Sequence, residues 1–99
     1  METENLILVE QICTHHNIET SFVDALQAFG LIEVVVLENN RYLSNEQLRD
    51  LEKMMRLHYD LDINMEGIDV ISHLLKRIDS LQQELKVTKN KLRLYENEN

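Results

Sequence analysis

Three observations predict a mainly α protein with a winged helix-turn-helix head and a long C-terminal coiled-coil helix. Two short segments with one apolar face each are joined by a tight connection within residues 9–30. A run of β-branched residues and an Asn-Asn pair follow, as a small β-hairpin wing requires. Beyond residue 63 a heptad repeat of apolar residues continues for nearly four periods. The expected division is therefore 1–62 for the head and 63–99 for a dimerising coiled-coil helix and short tail. Ninety-nine residues suffice for one small domain. A chain this short buries only part of its apolar surface alone, and oligomerisation is a common remedy.

Leu6 to Val9 reads as a short β-prone opening segment. From Val9 the spacing Val9, Ile12, Cys13, His16 marks one face of a two-turn helix. Asn17 and Ile18 make the connection. Ser21, with Asp24 three residues on, has the form of a capping box for a second helix. Phe22, Leu26 and Phe29, with Val23 beside them, form its inward face. Gly30 stands where a helix favours a left-handed residue at its end. The segment Leu31 to Leu37 reads as a strand, Asn39-Asn40 as the hairpin turn, and Arg41-Tyr42-Leu43 as the returning strand. Ser44 and Gln47 form another capping box, predicting a third helix to about Tyr59 with Leu48, Leu51, Met54 and Met55 inward. Asp60 to Asn64 interrupts it, and Asn64 is a fitting N-cap for the last helix, roughly Met65 to Tyr95.

With Ile71 at heptad position a, the a sites are Ile71, Ile78, Leu85 and Leu92, and the d sites Leu74, Leu81, Thr88 and Tyr95. Only Thr88 is not apolar. About 30 residues rising 1.5 Å each give a rod of about 45 Å. A head of this size cannot cover a stripe that long, so a homodimer through Ile71, Leu74, Ile78, Leu81, Leu85, Leu92 and Tyr95 is expected. The e and g charges are too few to fix its chain direction. Leu75, Val87 and Leu94 lie off the seam, which leaves room for a wider bundle or partner contacts.

The charge is uneven. Residues 1–40 hold seven carboxylates and no lysine or arginine; the first is Arg41. Within 70–95, Lys76, Arg77, Lys86, Lys89, Lys91 and Arg93 face only Asp79 and Glu84. Those six cations fall at b, e, f and g positions, the solvated sides of a coiled coil. Duplex DNA is gripped by neutralising phosphates, and an acidic helix-turn-helix repels that surface. The second helix turns outward Thr20, Asp24, Gln27 and Ala28, with Glu19 just before it, and of these only Gln27 is a base-reading side chain. The face is instead read as a protein-binding surface made of Glu19, Asp24, Gln27 and Glu33.

Enzyme chemistry finds little support. His15, His16, His58, His73 and Cys13 lack the paired spacing of a zinc site, and two glycines cannot build a phosphate loop. Asp60 and Asp62 lie in a loop without a concave site. No catalytic residue, cofactor or metal is expected. One cysteine, the absence of an apolar run near 18 residues, and an acidic start unlike a secretory signal fit a soluble cytoplasmic protein with no membrane span.

The run Glu10-Gln11-Ile12-Cys13-Thr14-His15, then Ile18 and Phe29-Gly30-Leu31-Ile32-Glu33, resembles the start of MerR-like winged helices. It is more similar still to their chaperone-modulator (CbpM-like) branch. The block Arg56-Leu57-His58-Tyr59-Asp60-Leu61-Asp62-Ile63-Asn64-Met65-Glu66-Gly67-Ile68-Asp69, followed by Leu74-Leu75 and Arg77-Ile78-Asp79-Ser80-Leu81, agrees. The resemblance implies a small dimeric cytoplasmic protein that binds and inhibits the J-domain of a DnaJ-type co-chaperone. Beside the resemblance, charge complementarity supplies a mechanism: an acidic head carrying Glu19, Asp24 and Glu33 is expected to occupy the basic helix that a J-domain presents to its heat-shock chaperone partner. Typical MerR regulators carry Arg-Tyr-Tyr where this chain has Asp24, Ala25 and Leu26, so a cation is replaced by an anion. A MerR-type DNA-binding transcriptional regulator is the alternative, and a structural adaptor acting through the rod alone a third.

Overall fold

The computed structural model describes residues 5–97. Strand β1 (Leu6–Leu8) runs directly into helix α1 (Val9–His16), which buries Val9, Ile12 and Cys13 and leaves His16 half-buried. Asn17 takes a left-handed φ of 56°. Its N–H donates to the Thr14 carbonyl (3.3 Å) and that of Ile18 to the Cys13 carbonyl (2.9 Å). These are the paired bonds of a Schellman closure, and asparagine tolerates the conformation better than most residues.

Helix α2 (Thr20–Ala28) opens one residue before the expected Ser21 cap. Extended Glu19 precedes it, and Ser21 Oγ donates to the Glu19 carboxylate (3.1 Å) instead of capping. A carboxylate at that end complements the helix dipole, so the serine cap is not needed. Gly30 closes the helix as expected, at φ 74°. Its N–H donates to the Gln27 carbonyl and that of Leu31 to the Leu26 carbonyl, both at 2.9 Å. Phe29 does not turn inward. The helix has ended before it, it stays 41% exposed, and Leu31 and Ile32 enter the core in its place.

Those two buried residues also shorten the expected strand to β2 (Val35–Leu37), which returns as β3 (Asn40–Ser44). The hairpin turn lies one residue earlier than Asn39-Asn40. Leu37 pairs with Asn40, and Glu38 (φ 49°) and Asn39 (φ 67°) are the central residues of a type I′ turn. The wing has three strands rather than two. β1 joins it antiparallel in the order β1-β3-β2, because Leu6–Leu8 is extended and apolar and finds the free side of β3. Register divides the sheet into two faces. Ile7, Leu43, Arg41 and Val36 project to the inner one, and Leu8, Tyr42 and Val35 make a row on the outer one.

Ser44 caps helix α3 (Asn45–Met55), its Oγ accepting from the Gln47 N–H (3.2 Å). The Gln47 carboxamide does not complete the box; it accepts from the Glu33 N–H across the loop (3.0 Å). The expected α-helix to Tyr59 stops at Met55 and widens into a π-helical turn, Arg56–Asp60. That turn sets His58 against Phe22 with ring centroids 4.9 Å apart and Tyr59 at 5.3 Å. Asn64 caps helix α4 (Met65–Asn97), its Oδ1 accepting from the Gly67 N–H at 2.8 Å. Ile68, in the first turn of α4, is fully buried with Val23, Leu26, Leu43 and Leu51, so the first compact unit extends to Asp69. Truncating one of these leucines to alanine costs about 2–5 kcal/mol.

The second unit starts at Val70 and is the remainder of α4. Counted from Met65, the 33 residues of α4 make it about 50 Å long. Along it Leu74, Ile78, Leu81, Leu85 and Leu92 are each about half exposed, and Tyr95 is 75% exposed. Among the described residues no helix is long and apolar enough to cross a membrane.

Two substitutions test the local geometry by denaturant unfolding. An added Cβ at Gly67 would meet Ile63 Cγ2 at 2.7 Å and Asn64 Oδ1 at 3.1 Å. Gly67→Ala is therefore expected to destabilise by about 1–2 kcal/mol, opposite to the usual helical preference. Glu38→Asn, placing a tolerant residue at positive φ, should stabilise by about 1 kcal/mol.

Candidate functional site

Asp24 and Gln27 lie three residues apart on the exposed side of α2, so they share a face. Glu19 precedes the helix, and Glu33 lies in the loop after it, its backbone fixed by Gln47. All four side chains predicted to bind a partner are exposed. Arg41 comes from the inner face of the wing and donates to the Asp24 carboxylate. The first cation of the chain is thereby tied to the acid on the presumptive recognition helix. Composition suggested two opposite charges; their pairing depends on sheet register and helix phase, which spacing alone does not supply.

That pair changes the electrostatics of the helix-turn-helix face. A phosphate approaching Arg41 meets the Asp24 carboxylate at the same guanidinium. Residues up to 69 hold four basic and fourteen acidic side chains, and those beyond hold six and four. The pair is open to solvent, its side chains 34% and 55% exposed, so its contribution to stability is at the small end for ion pairs. Behind it lies Cys13, buried on α1. Burial pushes its thiol above the ordinary 9.0, Arg41 pulls it down, and Asp24 and Glu10 push it up.

The other titratable groups are dispersed. His16 Nε2 lies 3.5 Å from a Glu52 oxygen, the His15 and His16 rings meet edge to face at 5.0 Å, and His58 Nδ1 lies 2.9 Å from the Ile63 carbonyl. Among the described residues no group of three or more His, Cys, Asp or Glu side chains is placed to hold a metal.

Two short helices closed by left-handed residues, a β wing and a capped third helix define a winged helix-turn-helix. The family described as MerR HTH family regulatory protein matches residues 7–90, and the chain belongs to that family. No curated protein and no solved structure matches it.

A double-mutant cycle on Arg41 and Asp24 should give a coupling below about 1 kcal/mol that shrinks with added salt. Cys13 should resist thiol reagents until the protein unfolds. The stability its neutral thiol contributes is full below pH 9.0 and is lost as pH climbs through the raised folded value; unfolding midpoints of Cys13→Ala against the parent across that range check it.

Proposed function

We propose that this protein is a chaperone modulator that binds the J-domain of a DnaJ-type co-chaperone and inhibits it. The observation that carries the reading is the ion pair of Asp24 with Arg41, which ties the wing's cation to an acid on the same side as the exposed Glu19, Gln27 and Glu33 of the first unit's described residues. A surface of that sign attracts a basic helix and repels a polyanion. The resemblance to the chaperone-modulator branch supplies the identity of the cationic partner. Covering the basic helix of a J-domain would block its docking to the heat-shock chaperone, which makes the complex inhibitory. Charge complementarity here chiefly speeds encounter and sets specificity.

The apolar seam of α4 supports a homodimer as the working form. Exposed leucines at i, i+3 and i+4 bury best against a copy in the same register pattern. No enzymatic step is part of this function, and its setting is the cytoplasm. A DNA-binding transcriptional regulator is the second reading, compatible with the same family match. That function requires duplex binding whose affinity falls steeply with salt.

Titration of a DnaJ-type J-domain at low and high salt is expected to give a complex that forms faster at low salt. No complex under either condition ends the proposal, and a salt-sensitive shift of duplex from its own promoter supports the second reading. Ile78→Asp with Leu85→Asp should yield a monomer by sedimentation, with the head still folded.

A further inference from the structure

The outer face of the three-stranded sheet is apolar along its middle, with Ser44 opposite Leu6 and Asn40 opposite Leu37 as its polar members. Leu8, Tyr42 and Val35 are directly paired across all three strands, with Leu6 and Leu37 on the same side. A small sheet packed on its core by one face ordinarily turns polar residues to the other. Here Leu6, Leu8, Val35 and Tyr42 are half-buried, Leu37 is 38% exposed, and none belongs to the buried core or to the apolar residues packed on it. At Leu8 the row meets an open cleft of about 450 Å³, otherwise lined by Glu10, Gln11, Thr14 and His15 of α1. A contiguous apolar patch of this kind on a small domain marks an interaction surface.

Charge selects the occupant. Glu10 borders the cleft and Glu38 stands in the turn that follows Leu37. The unit that carries the patch has fourteen acidic side chains against four basic ones. Two such faces brought together would oppose like charges, so a second copy is a poor occupant. We propose that the outer sheet face docks an amphipathic protein segment whose apolar stripe is flanked by lysine or arginine. This rests on the reading that the head engages a cationic protein. It adds a contact surface on the side of the sheet away from Arg41 and the α2 pair. Leu8, Val35 and Leu37 anchor the apolar stripe, Tyr42 offers a ring with a polar tip at its centre, and Glu10 and Glu38 meet the flanking cations.

The test uses the full chain, a fluorescently labelled helical peptide of leucine and lysine, and a matched peptide of leucine and glutamate. In Val35→Thr with Leu37→Thr, the first change keeps the β-branched shape, the second introduces a strand-favouring residue, and both add hydroxyls. Leu37→Thr alone, at an exposed position, guards against loss of fold, which thermal unfolding monitors. The parent is expected to bind the lysine peptide at least about tenfold more tightly than the glutamate peptide at low salt. The double variant is expected to weaken lysine-peptide binding by about tenfold, and the single variant by about threefold. Absence of lysine-peptide binding to the parent overturns the proposal, as does equal binding to the folded variants. A variant that changes the sedimentation of the chain while leaving peptide binding intact also overturns it, in favour of a second copy. A J-domain that fails to bind while the lysine peptide still discriminates removes the function proposed above and leaves this surface standing.

Discussion

One shared apolar core makes the head exist at all. Helices α1, α2 and α3 have eight, nine and eleven residues. Isolated helices shorter than about 12–15 residues are marginal in water, so none of the three stands by its own propensity. Each holds because Val9 and Ile12, Phe22, Val23 and Leu26, and Leu51 and Met54 fill one interior with Leu43 of the sheet and Ile68 of α4. The Schellman closures at Asn17 and Gly30 fix where the chain leaves each helix, and the core fixes the angle at which the next one packs. No charged or polar side chain among the described residues is buried in it.

An interior without charge leaves the surface free to change sign. The helix-turn-helix keeps its shape through apolar contacts, and its outer face can then carry either cations or carboxylates at small cost to the fold. Here it carries carboxylates, and the wing cation points back at one of them. Self-repulsion among acids loosens a compact state somewhat, but exposed charges are screened within about 8–10 Å at ordinary ionic strength. Shape and sign are thus separate properties of this chain. Family membership follows the first, and the proposed choice of partner follows the second.

The elements legible in the sequence are those whose cause is local. Apolar spacing marks helices α1 to α4, and Gly30, Ser44 and Asn64 stand at helix ends that residue type alone indicates, because capping bonds span only three or four residues. Local tolerance of positive φ points to Asn39-Asn40 as the hairpin turn, one residue beyond where the chain turns. Register won instead: pairing Val35 with Tyr42 and Val36 with Arg41 requires positive φ at Glu38. The joining of β1 to β3, the π-helical turn at Arg56–Asp60 and the reach of Gln47 to Glu33 were not legible, since each depends on partners distant in the chain. The same holds for the candidate site. Exposure of Glu19, Asp24, Gln27 and Glu33 followed from helix phase and loop position, whereas the tie between Asp24 and Arg41 needed the fold.

Helix α4 joins the folding of the head to the proposed self-association. It opens inside the head, where Asn64 caps it, Gly67 admits Ile63 and Ile68 completes the core. It then continues through turns whose seam residues are half exposed in a single chain. Helix formation is cooperative, with a costly first turn and favourable extension. The head supplies that first turn, so the seam is presented already helical and less ordering entropy opposes its pairing with a copy. Pairing in turn acts by mass action on the ordered state. A break at Gly67 or Asn64 would therefore weaken the pairing without touching one seam residue, because the nucleus of the helix belongs to the head.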